Sequence, residues 1–405
     1  MRVVHVVTAF PRSDDDVITP WLVRLIAAQR ESGLDASVLA PAYRGLGART
    51  VLGVPVRRFR YAPRPCETLT HDETVPDRLR RSPAYASLIP LYLAGGVRAG
   101  RRVGREAPDV VHVHWPVPHA LIGAAARSAS NGRSALVCTF YSVEIRWIEH
   151  RLRWLRPLLR WSIRTADAVT AISSETAARV RRLAEREVAV IPFSGAVRGE
   201  NALVARESGR VEGPLRLLFV GRLVERKGVE YLVEALEHIR RERPAELTIV
   251  GEGEWGPVIR REVERLRLES HVRFTGYVPE RRLREYYQTC DIFVLPAVVD
   301  SKGDTEGLGV VLLEALRFER PVIGSAVGGI PDIVRPGETG WLVPPGDPEA
   351  IAGAALEIAG DPGSALGIAR KGRRFVEERF SLERVVAELT DVYRSAIRAR
   401  RETRG

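Results

Sequence analysis

Cysteine is scarce in this chain, and its few copies stand far apart. Cys66, Cys138 and Cys290 are the only three among 405 residues, and no Cys-x-x-Cys pair occurs. Such spacing leaves neither a disulfide framework nor a thiolate metal site to infer. The scarcity fits a reduced compartment, so a cytoplasmic protein is expected.

Long hydrophobic runs are missing as well. No stretch approaches the ~20 uncharged residues of a membrane-spanning helix. The N-terminus meets charge at Arg12 and Asp14 and lacks an apolar segment with a small-residue cleavage site. Aromatic residues make up only 7% of the chain, but 45% apolar and 28% charged residues are typical of an ordinary globular protein. Extensive disorder is therefore excluded, and the length allows roughly two or three domains.

Lysine is nearly absent, and the positive charge is uneven. Only Lys227, Lys302 and Lys371 are lysine among 62 basic residues. Residues 1–200 carry 30 basic and 18 acidic side chains, whereas residues 201–405 carry 32 and 33. The excess in the first half either meets an anionic partner, such as nucleic acid or a phospholipid surface, or serves solubility.

Short β-branched runs alternate with helix-like stretches in two series. The first series lies at residues 3–7, 36–39, 110–114, 136–140, 168–172 and 188–191, and the second at 217–220, 247–250, 272–274, 292–295 and 321–323. The alternation predicts an α/β fold with two Rossmann-like, doubly wound parallel-sheet domains that face a central cleft. Ligands of such sheets bind at the carboxyl ends of the strands.

The gap between the two series predicts the domain boundaries. A charged, glycine-containing stretch without periodicity predicts a linker at residues 196–213. The N-terminal domain then spans residues 1–195, and the C-terminal domain spans residues 214–381. A last helix-like stretch, residues 382–405, could pack on either domain, including back on the N-terminal one.

A glycine-flanked pair of cations follows the first strand of the second series. The run from Gly221 to Gly228 places Arg222 and Lys227 at the start of a helix, where the helix dipole is positive. Arg222 can bind two oxygens at once, and Lys227 can act as a point charge on a departing diphosphate. The alternative is a solvated helix start, and Arg226 in the same run is interpreted that way.

Two carboxylates, Glu306 and Glu314, stand eight residues apart after a later strand. A helix starting near Gly307 or Leu308 would leave Glu306 in the loop ahead and place Glu314 about two turns in. Glycines such as Gly307 and Gly309 let backbone N–H groups approach phosphate. Apolar neighbours predict that Glu314 is partly buried and needs a partner. In the alternative interpretation, Glu306 only interacts favourably with the helix dipole, and Glu314 lies at the surface.

These residues resemble the retaining nucleotide-sugar glycosyltransferases of family 4, which have the two-domain GT-B fold. The cation pair, the glutamate pair and the runs Gly328–Asp332 and Gly340–Pro344 occur in the family's order and near its spacing. The resemblance covers residues 214–360 most strongly. It implies transfer of a sugar from a nucleoside-diphosphate sugar, with retention of configuration, without a metal and without a further cofactor.

The resemblance also implies a role for each site residue. It places Arg222 and Lys227 on the phosphates, Glu306 on the transferred sugar and Glu314 on the ribose, with the loop Gly307, Leu308 and Gly309 beside the donor. The main chain around Tyr277 and Val278 would read the base, and the N-terminal domain would bind the acceptor. That acceptor is open between a lipid-linked glycan, a polysaccharide and a small-molecule aglycone.

A competing signal is the run from Gly251 to Gly256, which matches the dinucleotide-binding pattern G-x-G-x-x-G. Its strand is not the first of its domain, and Glu252 and Glu254 would repel a pyrophosphate. The family places a similar glycine loop beside the donor, which makes Gly253 a substrate-binding candidate. A sugar-nucleotide 2-epimerase of the same fold remains the alternative function.

The N-terminal half departs from the family. Tyr141 and Ser142 stand where the family often has histidine then glycine. A phenol with a pKa near 10 is no ready base, but it can donate a hydrogen bond. His112 and His114 share one face of a strand but lack a third ligand nearby, so no metal site is predicted. They are interpreted as a core residue and a cleft-edge residue, which leaves His114 and Tyr141 as substrate-binding candidates.

Tryptophans recur every seven residues at Trp147, Trp154 and Trp161, among six arginines. The pattern fits either an aromatic, basic helix on an anionic membrane surface or a tryptophan stripe packed in the core, which is slightly preferred. Pro157 would interrupt or restart that helix. A recognisable nucleic-acid-binding motif is absent from the sequence, so no nucleic-acid partner is expected.

Overall fold

The computed structural model describes residues 1–16, 18–72, 75–194 and 213–403. Apart from Gly213, the predicted linker at 196–213 lies outside these residues. The chain forms two units: one comprises Met1–Phe193 with Leu382–Gly405, and the other Ser194–Ser381. The last helix therefore belongs to the first unit.

The first unit contains one eight-stranded sheet. Its strands are β1 (Arg2–Val6), β2 (Asp35–Pro41), β3 (Arg49–Val51), β4 (Val54–Phe59), β5 (Val110–His114), β6 (Ala135–Phe140), β7 (Ala168–Ala171) and β8 (Ala189–Val190). Their order in the sheet is β3-β4-β2-β1-β5-β6-β7-β8, and only the β3–β4 pair is antiparallel. Strands β5 and β6 are buried throughout, as expected for a parallel sheet covered on both faces.

Helices cover both faces of that sheet. They are α1 (Pro20–Glu31), α2 (Val75–Arg81), α3 (Leu88–Arg105), α4 (Pro116–Ala129), α5 (Val143–His150), α6 (Arg156–Thr165), α7 (Ser174–Ala184) and the C-terminal α14 (Leu382–Glu402). Helix α14 packs against α1, β6 and β7 and buries Leu389 and Tyr393 in the same apolar cluster as Val3 and Val7. A new helix, α6, begins with Pro157 in its first turn, as predicted.

The second unit contains a six-stranded parallel sheet. Its strands are β9 (Leu215–Val220), β10 (Ala245–Val250), β11 (Val272–Gly276), β12 (Ile292–Leu295), β13 (Val322–Ser325) and β14 (Trp341–Val343), in the order β11-β10-β9-β12-β13-β14. The helices are α8 (Val229–Glu242), α9 (Gly256–Arg265), α10 (Glu280–Thr289), α11 (Val310–Arg317), α12 (Pro348–Gly360) and α13 (Pro362–Arg379). Two parallel-sheet units confirm the predicted α/β class.

The order of strands brings particular loops together. In the second unit β9 lies between β10 and β12, so the loops after these three strands meet at one edge of the sheet. In the first unit β5 lies between β1 and β6, so the loops that follow those strands also meet. Within the described residues, no helix is both long and apolar enough to cross a bilayer.

Candidate active site

The loop after β9 carries the predicted cations. Residues Glu225–Lys227 form a 3-10 turn, and Gly228 follows with φ of 60°. A Cβ on Gly228 would lie 2.2 Å from the carbonyl oxygen of Pro296, which begins the loop after β12. Glycine is therefore required for the two loops to approach each other, and this approach brings Lys227 to Glu306.

Lys227 and Glu306 form an ion pair. The Lys227 ammonium donates a hydrogen bond to Oε2 of Glu306, and Nη1 of Arg226 lies 3.3 Å from the same oxygen. Burial opposes ionisation of this carboxyl, but the positive charges of Lys227 and Arg226 lower the pKa of Glu306 to about 2. Glu306 is therefore a carboxylate at neutral pH.

One of the two arginines of this loop differs from its sequence interpretation. Arg226, assigned to solvent, contacts Glu306 and also lies 3.6 Å from Asp304 through Nε. The interpretation of Arg226 was wrong because its partners are about 80 residues away in sequence, where no local pattern reveals them. Arg222, by contrast, is exposed at the surface of the loop.

A glycine turn holds the backbone of Glu306 in place. Gly328 has φ of 60°, and a Cβ on it would lie 1.9 Å from the carbonyl oxygen of Glu306. The N–H of Gly329 donates to the same oxygen at 3.3 Å. The run Gly328–Asp332 thus positions the carboxylate that the ion pair holds.

Glu314 is buried and has a partner, as the sequence required. Helix α11 begins at Val310, so Glu314 lies little more than one turn in, and the prediction of two turns was wrong. The Tyr287 hydroxyl donates a hydrogen bond to Oε2 of Glu314 at 2.9 Å. Tyr287 is fully buried and its ring stacks on Phe318 at 5.4 Å.

The environment of Tyr287 keeps its phenol protonated. Burial, and then the charge of Glu314, raises the pKa of Tyr287 well above its ordinary value. Tyr287 can therefore only donate to this carboxylate. Tyr287 was not predicted from the sequence, because a tyrosine inside helix α10 has no local pattern that marks it as a partner for an acid on another helix.

The start of α11 is shaped by the predicted loop. Gly309 has φ of 89° and precedes the helix, Leu308 is buried, and the N–H of Gly307 donates to the Glu306 carboxylate. A left-handed φ at Gly309 favours glycine, since a side chain there would be strained. The loop therefore carries one carboxylate and the first N–H groups of the helix that carries the other, Glu314.

The glycine-containing loop after β10 packs on the loop after β9, which carries Arg222 and Lys227. A Cβ on Gly251 would lie 2.0 Å from the carbonyl oxygen of Gly221, and one on Gly253 would lie 2.2 Å from that of Leu223. The N–H of Leu223 in turn donates to the carbonyl of Glu252 at 2.9 Å. These glycines permit close backbone contact between two loops of the protein itself, which accounts for the G-x-G pattern without a dinucleotide.

The loop after β11 carries the predicted base-reading residues. Tyr277 is 75% exposed, and its N–H donates to Oε1 of Glu252 at 3.4 Å. Val278 is half-buried beside it. The structure thus brings Gly253, Tyr277 and Val278 to the same edge of the second sheet as Lys227.

In the first unit, His114 is not at an edge. It is fully buried, and its Nδ1 lies 2.6 Å from the Tyr141 hydroxyl. The cleft-edge interpretation of His114 was therefore wrong. So was the expectation that a third histidine is missing, because β1 pairs with β5 in the register His5 with His112 and brings His5 beside them. One ring nitrogen of each of the three lies within 4.8 Å of the others.

Tyr141 belongs to an aromatic cluster where β5 and β6 end. Its ring stacks on Trp115 at 4.4 Å and lies 5.2 Å from Trp21, which stacks on Phe193 at 4.6 Å. Trp115 and Ser142 have positive φ values of 51° and 77°. Non-glycine residues in this region carry backbone strain, which concentrates at functional sites.

Two of the three tryptophans lie at the surface, so the packed-stripe interpretation was wrong for them. Trp154 is 75% exposed and Trp161 is 37% exposed. Around them lie the exposed arginines of the same segment, Arg151, Arg153, Arg156, Arg160 and Arg164. These seven residues are called the tryptophan–arginine surface. Within the described part of the chain, none of the five arginines has an ion pair with an acidic side chain.

Two family models match the chain. The model of the glycosyl transferases group 1 matches residues 203–375, and that of the glycosyl transferase 4-like domain matches residues 18–194. The mannosyltransferase of Mycolicibacterium smegmatis named GDP-mannose-dependent alpha-(1-6)-phosphatidylinositol monomannoside mannosyltransferase is 30% identical over 317 residues, which is 76% of this chain and 81% of that protein. N-acetyl-alpha-D-glucosaminyl L-malate synthase of Bacillus anthracis is 27% identical over 76% of this chain and 80% of its own length.

Solved structures share the architecture. Sucrose-phosphate synthase from Thermosynechococcus elongatus matches with a TM-score of 0.73 and 22% identity, over 98% of this chain and 99% of that one. Anabaena HepE in complex with UDP-glucose matches with a TM-score of 0.68 and 18% identity, over 98% and 100%. At these identities the likeness shows the fold, which is GT-B. The matches to both halves and the relative at 30% identity show that this chain belongs to the glycosyl transferases group 1 family and is a glycosyltransferase.

Proposed function

We propose that this glycosyltransferase moves a sugar from a nucleoside-diphosphate sugar to an acceptor hydroxyl, with retention of configuration and without a metal. The observation that carries the proposal is the ion pair of Lys227 and Glu306, which lies at the carboxyl edge of the second sheet in the unit that also holds Glu314. Two of the similar proteins point the same way, since one is named GDP-mannose-dependent and another is in complex with UDP-glucose.

Each charged group has a task in this reaction. Arg222 and Lys227 bind the diphosphate and neutralise the charge that grows on it as the anomeric carbon–oxygen bond breaks. Glu306, ionised because its pKa is lowered to about 2, stabilises the positive charge that develops at the anomeric carbon. The acceptor oxygen then bonds to that carbon, and its proton passes to the departing phosphate oxygen.

The remaining contacts position the donor. Glu314, held by Tyr287, accepts hydrogen bonds from the ribose hydroxyls. The main chain at Tyr277 and Val278 reads the base, and the loop that contains Gly253 lies beside the donor. Because two cations serve the diphosphate, the reaction needs neither a bound metal nor a further cofactor.

The donor is tested by thermal unfolding with UDP, GDP, ADP and TDP. A ligand that binds only the folded state raises the melting temperature by mass action, so the most stabilising nucleotide names the donor class. If none of the four shifts the melting temperature, the proposal fails. Incubation of a labelled donor without acceptor tests the epimerase alternative, which no comparison supports, because an epimerase would convert the sugar on its own.

The tryptophan–arginine surface supports the proposal that the protein binds an anionic membrane. No acidic residue occurs between Glu149 and Asp167, and Trp154 projects from the segment with 75% exposure. Exposed tryptophan among arginines is typical of binding at the interface of anionic lipids. Such binding suits a lipid-linked acceptor, whereas a polysaccharide or small aglycone would not require it.

Flotation with liposomes tests this contact. Liposomes with phosphatidylglycerol should bind the protein, liposomes of phosphatidylcholine alone should not, and Trp154→Ala should reduce binding. Tyr277→Ala is the matched control, since Tyr277 is also 75% exposed but lies in the second unit. Failure to float with either lipid rejects the membrane partner, and salt-sensitive binding to duplex DNA instead would indicate a nucleic-acid surface.

A further inference from the structure

A chain of buried polar side chains crosses the first unit from helix α14 to the end of β6. The contacts are His114 Nδ1 to Tyr141 Oη at 2.6 Å, His114 Nε2 to His5 Nδ1 at 3.0 Å, His5 Nε2 to Gln29 Oε1 at 2.8 Å, Gln29 Nε2 to Tyr393 Oη at 3.1 Å, Tyr393 Oη to His112 Nδ1 at 2.8 Å and His112 Nε2 to Thr139 Oγ1 at 2.6 Å. All of these residues are buried. Each link therefore has to satisfy both of its atoms from within the protein.

The amide of Gln29 sets the direction of this chain. Its oxygen faces His5, so Nε2 of His5 must carry the proton that is donated. A neutral imidazole has only one such proton, which leaves Nδ1 of His5 as an acceptor. His114 must therefore donate to it from Nε2.

The Tyr141 hydroxyl is the neighbour of His114 at its other ring nitrogen. With its proton on Nε2, His114 has a bare Nδ1, and the group within 2.6 Å of it is the Tyr141 hydroxyl. A hydrogen bond at that distance requires the hydroxyl to donate. The Tyr141 proton therefore points into the protein.

The second arm runs through helix α14. The Gln29 amide nitrogen donates to the Tyr393 oxygen. The hydrogen of the buried Tyr393 hydroxyl needs an acceptor, and Nδ1 of His112 at 2.8 Å provides it. His112 then donates from Nε2 to Thr139. All three histidines share the Nε2–H tautomer, and burial keeps them neutral by lowering each pKa, that of His5 to about 4.

Three imidazoles with ring nitrogens within 4.8 Å of one another could also bind a metal ion. However, all six of their ring nitrogens have a protein partner at 3.0 Å or less. A metal ion would have to displace several of these buried hydrogen bonds. The geometry therefore favours the hydrogen-bond chain.

We propose that this chain fixes the polarity of the Tyr141 hydroxyl, with Gln29 and Tyr393 as positioning residues. Because the proton is donated inward, the Tyr141 oxygen can act only as an acceptor of a further hydrogen bond. This polarity does not depend on the proposed function.

Nitrogen-15 NMR of the histidine side chains at pH 7 tests the proposal on the intact protein. His5, His112 and His114 should show a protonated Nε2 and a bare Nδ1. His119 gives an internal contrast, because its Nδ1 lies 3.0 Å from the Trp115 carbonyl and must carry the proton. A protonated Nδ1 on His5 or His114, or stoichiometric metal in elemental analysis of the purified protein, would overturn the proposal.

Two variants distinguish the effect of the hydrogen-bond chain from a general effect on packing. Gln29→Leu removes the group that sets the direction, so His5 and His114 should populate both tautomers. Tyr92→Phe is the matched control, since it removes an equally buried tyrosine–histidine hydrogen bond, to His119 at 2.9 Å, outside the chain. If Gln29→Leu does not fold, the wild-type tautomers alone still decide. Failure of the nucleotide panel would refute the proposed function and leave these tautomers unchanged.

Discussion

The Lys227 ammonium is hydrogen-bonded to the Glu306 carboxylate, and the two side chains are only 10% and 13% exposed. The cation predicted for the diphosphate and the acid predicted for the sugar are therefore each other's partner before any donor arrives. A diphosphate that binds Lys227 competes with Glu306 for the same ammonium group.

Glu306→Gln is expected to slow turnover by about 100-fold, because the variant loses the charge that stabilises the transition state. The affinity for the nucleoside diphosphate should be equal or higher, since Lys227 loses its competing partner. Steady-state kinetics and calorimetric titration measure the two effects. Asp304→Asn is the control, because Asp304 approaches Arg226 at 3.6 Å but belongs to the half-exposed part of the loop. Loss of nucleotide binding in Glu306→Gln would show that its role is wrong.

Arg222 and Lys227 should differ in their effect on stability. Both Arg222→Ala and Lys227→Ala are expected to weaken nucleoside diphosphate binding about tenfold or more, because each removes a charged hydrogen bond to phosphate. Only Lys227→Ala should lower the melting temperature, since it leaves the buried Glu306 carboxylate with less compensation. Equal melting temperatures for the two variants would contradict the buried ion pair.

Tyr287→Phe tests the support of Glu314. The ring stacking on Phe318 is kept, but the hydroxyl that donates to Glu314 is lost. Nucleoside diphosphates should bind about 5- to 10-fold more weakly, as for loss of one hydrogen bond to a charged group. Inorganic pyrophosphate, which has no ribose, should bind as to the wild type. An equal loss for both ligands would show that Glu314 acts on the phosphates and not on the ribose.

Gly328→Ala should displace Glu306. A side chain there meets both a left-handed φ and the Glu306 carbonyl at 1.9 Å. Gly337→Ala is the matched control, with φ of 72° and no atom within 4 Å of the added carbon, so it should cost only about 1–2 kcal/mol. Turnover should collapse in Gly328→Ala and persist in Gly337→Ala. Equal turnover in both would show that the turn does not hold the carboxylate.

Much of this architecture could be predicted from the sequence. The run of residues 110–114 and that of residues 292–295 coincide with β5 and β12, because buried parallel strands are continuous β-branched runs. Strands β3, β4 and β14 were missed. Two of them are three residues long, and β4 contains a proline and two arginines, which do not fit a buried strand.

The site could be predicted only in part, because local sequence marks some of its residues and not others. Gly228 and Gly309 are marked locally, since a left-handed φ calls for glycine at one position. Arg226, Tyr287 and His5 are not, because each acquires its role from a partner on another loop or strand. Register between β1 and β5 places His5, and a single sequence does not reveal register.

Stability should fall as the pH drops from about 7 to 5. Burial lowers the pKa of five histidines, to about 4 for His5, His71 and His119, and well below the ordinary value for His112 and His114. Between their ordinary pKa of 6.5 and these values, the unfolded chain binds more protons than the folded one, so acid favours unfolding. Each group contributes at most about 1.4 kcal/mol per pH unit.

Three glutamates oppose this trend, because burial also raises the pKa of Glu230 and that of Glu234 above the ordinary value. Burial raises the pKa of Glu144 to about 7, so the folded chain holds its proton where the unfolded chain has released it. Five histidines outweigh three glutamates, and the net slope remains positive with pH. Melting temperatures at pH 7, 6 and 5 measure this slope. A melting temperature that rises toward pH 5 would contradict the buried neutral histidines.

The central claim is that the loops around Lys227 and Glu306 receive the diphosphate of the donor. The most direct measurement is a crystal structure with the nucleoside diphosphate that stabilises the protein most. We expect Lys227 and Arg222 on its phosphates and Glu314 on its ribose, with the Lys227–Glu306 contact loosened. A nucleotide bound elsewhere, with that contact intact and Arg222 in solvent, would contradict the account.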